Sequence, residues 1–197
     1  MENKTGCVIM ASGLSRRFGS NKLMADFGGA PMILRALQAT EDLFDRRVVV
    51  TRHEDVAALC RSHGVPVVTH DLPYRSDTIR LGLEALGDVR CCLFFPGDQP
   101  LLRRETIEAL LCAANGNREA IWRPEHDGIP GSPVLFPYWA LDELYALPEG
   151  KGGGYLIQKY PERVRTIPVR DPYELMDADT PQALVMLLQH FRSANNV

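Results

Sequence analysis

The chain lacks any apolar run approaching the ~20 residues needed to cross a bilayer. It also lacks internal repeats, low-complexity tracts and Pro/Gly-rich linkers. Met1-Glu2-Asn3-Lys4-Thr5-Gly6 passes straight into a short apolar strand, so no signal peptide is expected. An excess of charge is missing too: 22 Lys and Arg face 25 Asp and Glu, a net of −3. Without a global positive field, nucleic acid and anionic membranes are excluded as partners, and an anionic ligand must be held by locally placed groups. Cysteine is sparse, five residues at scattered positions in mostly apolar stretches. Buried free thiols in a reducing cytoplasm follow. Cys60-Arg61-Ser62-His63 has a metal-like spacing but no second pair to complete a zinc site. Several chemical fingerprints are absent as well. There is no Gly-x-x-x-x-Gly-Lys-Ser/Thr loop, no Gly-x-Gly-x-x-Gly, and no Gly-x-Ser-x-Gly elbow around Ser132. The five histidines (53, 63, 70, 126, 190) share no metal spacing and mostly read as surface residues, while Trp122 and Trp139 read as packing groups.

What is present is a 197-residue chain that is 45% hydrophobic, enough for one domain and too apolar for disorder. Short apolar runs at 7–11, 47–51, 65–69 and 91–95 alternate with helical patterns at 31–37, 54–62, 76–86 and 104–114. A further strand is expected near 120–122. Continuous apolarity in the strands and strand–helix alternation predict a single-domain α/β fold, a mostly parallel Rossmann-like sheet flanked by helices. The second half is less regular, with strands at 133–136 and 163–169 and helices at 139–147, 155–160 and 181–190.

Open parallel sheets bind ligands beyond the carboxyl ends of their strands. Two polar segments fall there. Ala11-Ser12-Gly13-Leu14-Ser15-Arg16-Arg17-Phe18-Gly19-Ser20-Asn21-Lys22 follows the first strand and combines two glycines with three cations. Glycines let backbone N–H groups approach an anion, Arg offers a planar fork to phosphate oxygens and Lys a point charge. The plainer reading is a βα turn with solvated surface charges. Gly97-Asp98-Gln99-Pro100 follows the fourth strand. Asp98 reads either as a turn former or, beside the first loop, as a carboxylate for a hard cation.

Met10 to Lys22 resembles the signature loop of the nucleotidyltransferases that attach a nucleotide to molybdopterin, Leu-Ala-Ala/Gly-Gly-x-Ser-x-Arg-Met-Gly-x-x-Lys. Gly13, Ser15, Arg17, Gly19 and Lys22 match it, and Met10, Ser12 and Phe18 depart. Gly97-Asp98-Gln99-Pro100 is similar to the family's Gly-Asp-Met/Gln-Pro. Ser76-Asp77-Thr78-Ile79-Arg80-Leu81-Gly82-Leu83 is similar to its Ser-x-Ser-Leu-x-x-Gly-Leu helix start. Gly131-Ser132-Pro133-Val134-Leu135-Phe136, Gly150-Lys151-Gly152-Gly153-Gly154-Tyr155 and Asp177-Ala178-Asp179-Thr180-Pro181 carry the likeness to the last helix, although one acid of the second stretch is missing and Tyr155 departs.

The resemblance implies a nucleotide-diphospho-sugar transferase-like fold over 1–197, with a nucleotide-binding half at 6–115 and an acceptor-binding half at 116–197. It implies Arg17, Lys22 and Asp98 as catalytic groups, and Ala11, Ser12, Gly13, Ser15, Arg16, Gly19, Ser76 and Thr78 around the nucleotide. Gly131, Ser132 and Lys151 would contact the acceptor. Mg²⁺ would sit on Asp98, with Asp177 as a second carboxylate. For Ser76 and Thr78 the competing reading is a helix cap. Residue 12 carries a side chain, as in the cytidylyltransferase branch, so CTP is expected ahead of GTP. The acceptor would be a molybdopterin-type phosphate, and a molybdoenzyme or chaperone would make transient contact to take the product. Another sugar or polyol phosphate as acceptor, and a nucleotide-binding regulatory module without turnover, are the alternatives; pyrophosphate release separates enzyme from module.

Overall fold

Strands covered on both faces need apolar residues at nearly every position, which is why the runs at 7–11, 47–51 and 91–95 are so apolar, whereas the edge run at 65–69 is only partly buried. In the computed structural model, which describes residues 4–15 and 18–195, β1 (Thr5–Ala11) lies between β2 (Arg46–Thr51) and β4 (Cys91–Pro96), parallel to both. A third strand, β3 (Val67–Thr69), extends the parallel run beyond β2. It starts after Pro66, whose carbonyl accepts from the Val49 amide but which has no N–H to give.

Cys7 and Ile9 turn into one apolar layer and Val8 into the other, and all three are fully buried. The first layer is built by α1 (Ile33–Ala39), α2 (Glu54–Ser62) and α4 (Arg104–Gly116). The second is built by α3 (Arg75–Leu86), α5 (Tyr138–Tyr145) and α6 (Gly154–Lys159). Gly82 lets α3 lie directly on β1, since a Cβ there would come within 2.6 Å of Val8 Cγ1.

The second half departs from simple repetition. β5 (Ile121–His126) turns through Asp127 and Gly128, at φ 49° and 78°, into β6 (Ile129–Pro130). Two consecutive positive φ values are what a tight hairpin requires, and Asp-Gly supplies them at low cost. β7 (Val134–Pro137) then inserts between β4 and β5, antiparallel to each, while β8 (Val164–Pro168) pairs parallel with β5. The eight-stranded sheet is therefore mixed, parallel through β3-β2-β1-β4 and interrupted by β7.

The last helix, α7 (Pro181–Asn195), runs five residues beyond the expected end. Thr180 caps it, its Oγ1 accepting from the Ala183 amide at 3.1 Å, with Pro181 at the first helical position. Leu187 of this helix and Ala178 close a small third core over Phe27 and Met32. The cysteines are free thiols, but Cys112 on α4 is exposed, and Cys91, at the start of β4, is only partly buried against the first layer. Among the described residues, no helix is long and apolar enough to cross a membrane.

Candidate active site

The register of β1 against its neighbours brings three loop starts to one edge: Ala11 is level with Thr51, and Met10 with Pro96. The segments after β1 and β4 therefore emerge side by side. Gly97 makes the approach possible, because a Cβ there would stand 3.3 Å from the Met10 carbonyl and 2.9 Å from Ile33 Cδ1. Its amide donates to that same carbonyl at 3.0 Å, so Asp98 is carried directly over the end of β1.

Lys22 and Asp98, 76 residues apart, meet at this edge in an ion pair. The ammonium also donates to Asp179 Oδ1 at 2.8 Å. Lys22 begins a short 3-10 turn stabilised by Asn21, whose Oδ1 accepts from the Leu23 amide at 3.2 Å. The Asn21 amide nitrogen in turn donates to the Asp55 carboxylate of α2. Burial alone would pull the Lys22 ammonium down, but the Asp98 and Asp179 carboxylates outweigh it and hold it above its ordinary value. The cation is thus permanently charged although its surface is almost wholly covered.

The 177–179 segment reaches the same place by a different route. The Ala178 amide donates to the Asp98 carbonyl at 2.8 Å, and the Gln99 side-chain amide to the Leu175 carbonyl at 3.3 Å. Confinement by surrounding protein, and next the Asp98 charge, push the Asp177 carboxyl up to about 6. Asp177 nevertheless keeps solvent contact through the cavity. Among the described residues no group of three or more His, Cys, Asp or Glu converges into a closed metal cage. Asp98 and Asp177 offer hard oxygen donors instead, matching a Mg²⁺-like ion that takes one or two carboxylates and completes its shell with phosphates and water.

These groups line a cavity of about 600 Å³, within the usual range for small-molecule sites. Its wall includes Ala11, Ser12, Gly13 and Ser15 of the first loop, Thr78 of α3, and Ser132, Gly153 and Gly154 of the second half. The first-loop backbone is oriented by β2's exit. Arg52 Nε donates to the Ser12 carbonyl at 3.0 Å, and the Gly13 carbonyl accepts from His53 Nε2 at 2.8 Å. The Gly13 and Leu14 amides have no partner among the described residues, on a loop whose residues line the cavity. Unpaired backbone N–H groups of a glycine-bearing loop are available to an anion. Ser15, at φ 48°, accepts from the Lys22 amide at 3.3 Å and holds the loop together.

Other expected residues are placed differently. Arg16 and Arg17 lie outside the described residues. Gly19, Gly131 and Lys151 are not on the cavity wall. Gly131 packs against Leu175, its amide bonded to Pro124, and Lys151 is exposed. The cap alternative for Ser76 and Thr78 gives way: both are buried within the first turns of α3, and the helix end is held by Asp77 Oδ2 accepting from the Tyr74 amide at 3.1 Å. Ser76 is buried away from the wall, whereas Thr78 is on it.

Two participants escaped the sequence reading. Asp179 looks like a helix-start residue, and only the fold brings it to Lys22. His70 is not a surface residue but a half-buried one, bonded to Ser12 and Thr78. Its place at the end of β3, level with the other strand ends, was the available signal.

The fold and cavity define an α/β protein with a charged pocket at the carboxyl ends of its parallel strands. Residues 7–164 match the MobA-like NTP transferase domain, and the chain belongs to that family. It is 36% identical over 93 residues to the 3-deoxy-manno-octulosonate cytidylyltransferase of Neisseria gonorrhoeae, covering 44% of this chain and 36% of that one. It is 30% identical over 112 residues to the protein named "Probable molybdenum cofactor guanylyltransferase" in Pyrococcus horikoshii, covering 56% and 57%. The matches thus span between about a third and just over half of these relatives' own lengths. A solved nucleotidyl transferase from Methanothermobacter superposes with a TM-score of 0.83 at 20% identity, over 98% of this chain and all of its own, which establishes the shared fold.

Proposed function

We propose that the chain is a nucleotidyltransferase that joins the nucleotide of CTP to a phosphomonoester of molybdopterin type and releases pyrophosphate. The observation that carries this reading is the meeting of Lys22 with Asp98 on the wall of the cavity that the first loop also lines. A cation, a carboxylate and free N–H groups at one strand edge are what a triphosphate requires, and binding alone would not need the carboxylate. The wall residues from 6–115 would take the nucleotide, and Ser132, Gly153 and Gly154 of the 116–197 half the acceptor.

An acceptor phosphate oxygen would attack the α-phosphorus in line. A new P–O bond forms, the bond to the β-phosphate bridging oxygen breaks, and pyrophosphate leaves with the electron pair. No general base is required, since the attacking phosphate is already ionised at neutral pH. The protein's work is therefore positioning and neutralising two anions that repel one another. The Gly13 and Leu14 amides orient the triphosphate, and Lys22 stabilises charge developing around the α-phosphorus, with Arg17 assigned the same role from the family pattern. Asp98 and Asp177 would hold Mg²⁺, which when bound supplies further neutralisation of the phosphate oxygens.

A second reading, GTP as donor or a sugar-type acceptor, is favoured by the relatives themselves, whose names include a guanylyltransferase and a cytidylyltransferase of a sugar acid. Incubation with each of the four triphosphates and Mg²⁺, with molybdopterin or with a sugar or polyol phosphate as acceptor, followed by pyrophosphate measurement, tests both. Release with CTP and molybdopterin is expected. Release only with GTP or another phosphate acceptor selects the second reading, and no release with any combination refutes the enzyme.

A further inference from the structure

His70 stands behind the cavity wall rather than in it, touching two wall residues at once. The direction of its hydrogen bonds can be worked out from proton counting. Ser12 Oγ lies 3.1 Å from the Val50 carbonyl and 2.8 Å from His70 Nε2. A carbonyl can only accept, and we assign the single Ser12 hydroxyl proton to Val50. The His70 nitrogen facing Ser12 must then carry hydrogen and donate. The same Nε2 lies 3.3 Å from Thr78 Oγ1. That nitrogen has one proton and no lone pair left to offer, so Thr78 receives a share of it and acts as acceptor.

Thr78 has no other hydrogen-bond partner among the described residues. Its own hydroxyl proton is therefore free to point into the cavity it lines. The ring stays neutral in this role, because burial, and next the Arg52 charge, hold the His70 pKa below its ordinary value. Its Nδ1 is buried with no partner, as expected of the tautomer hydrogenated at Nε2.

We propose that His70 is a specificity-positioning residue: by donating to Ser12 and Thr78 it fixes the Thr78 hydroxyl as a hydrogen-bond donor toward a cytosine edge. Cytosine places two acceptors, N3 and O2, side by side on its pairing edge. Guanine places N–H donors at the corresponding positions and would meet the Thr78 proton with its own. Charge at the phosphate end cannot make this distinction, since every nucleoside triphosphate carries the same tail. The inference rests on the proposal that the cavity binds a nucleoside triphosphate.

The test compares KM and kcat for CTP and GTP in the full chain and in His70→Gln, His70→Leu, Thr78→Ser and Thr78→Val, with thermal melting of each. His70→Gln keeps an N–H donor, and Thr78→Ser keeps the hydroxyl. His70→Leu and Thr78→Val should each raise KM for CTP about tenfold, the effect of one lost hydrogen bond, while the GTP value moves little and kcat is retained. The Gln and Ser variants should restore most of the CTP preference. An equal loss for CTP and GTP, or an unchanged CTP:GTP ratio in Thr78→Val, overturns the inference, as does a wild-type preference for GTP with CTP excluded. Those results leave nucleotidyl transfer standing. Absence of turnover and of binding with every triphosphate in the wild type instead refutes the function on which the inference rests. Should His70→Leu not fold, His70→Phe, which keeps a ring without the donor, takes its place and should show the same selective rise in KM for CTP; an unchanged CTP:GTP ratio there overturns the inference.

Discussion

Two groups of polar side chains share one cavity and are held by different physics. Around Lys22, full charges face each other: the ammonium is gripped by Asp98 and Asp179, with Asp177 close by. Around Ser12, His70 and Thr78, neutral hydrogen bonds of 2.8–3.3 Å do the holding. Charged groups in a confined site act strongly and without regard to which nucleoside is attached. Neutral donors and acceptors act weakly but read the pattern of a ligand's edge. The first group is thereby suited to rate and the second to choice, and substitutions should separate along that line.

The largest effect should come from Asp98→Ala. A carboxylate that anchors a dication and neighbours the reacting phosphates contributes several kcal/mol, so pyrophosphate release should fall by about 10³-fold or more. Circular dichroism should remain that of the native fold, because Asp98 is in a turn at the sheet edge and its backbone contacts survive. Turnover within a few-fold of wild type would end the metal assignment.

Lys22→Ala should come next, at about 10²-fold in kcat/KM with a raised KM for nucleotide, since it removes one charge while leaving the carboxylates. Asp179→Asn should cost less, about tenfold, because Lys22 keeps its ion pair with Asp98 when the Asp179 charge is removed. The two should be less than additive, because they share the Lys22–Asp179 ion pair: once Lys22 is alanine, Asp179→Asn should cost less than it does in the wild type. Full additivity in that double-mutant cycle would show that Asp179 works independently of the lysine.

These contrasts also explain what could be read from the residues alone. Lys22 and Asp98 were legible because each sits in a glycine-marked loop straight after a buried strand, and a parallel sheet sends all such loops to one edge. The five-residue run Cys91-Cys92-Leu93-Phe94-Phe95 was legible as β4 for the same reason of two-sided burial. The position of β7 was not, since an apolar run carries no mark of strand direction or neighbour. Asp179 was hidden behind a local signal: Asp-Thr-Pro announces a helix start, and Thr180 and Pro181 do perform that task. Its second use depends on the Ala178–Asp98 backbone bond, a contact across 80 residues that no local pattern encodes. His70 was missed because its partners come from β1's exit and α3, so its chemistry exists only after the sheet has assembled.

The smallest effect predicted is on stability, and it has the opposite sign from the others. Asp177 is pushed up to about 6 by confinement and by Asp98, so its charged form is disfavoured in the folded chain. Asn has the same shape without the charge. In the presence of chelator at pH 7.5, Asp177→Asn should raise Tm by about 2 °C, the equivalent of roughly 0.5 kcal/mol at this size after allowing for solvent screening. Added Mg²⁺ and nucleotide should stabilise the wild type more than the variant, because a ligand stabilises in proportion to its occupancy of the folded state and the variant has lost one oxygen donor. A side chain kept at a cost to the free protein is then repaid only when cations arrive, which distinguishes a binding residue from a packing one. If Asp177→Asn lowers Tm with chelator present, or if Mg²⁺ and nucleotide raise Tm equally in both proteins, the carboxylate serves the fold and the dication rests on Asp98 alone.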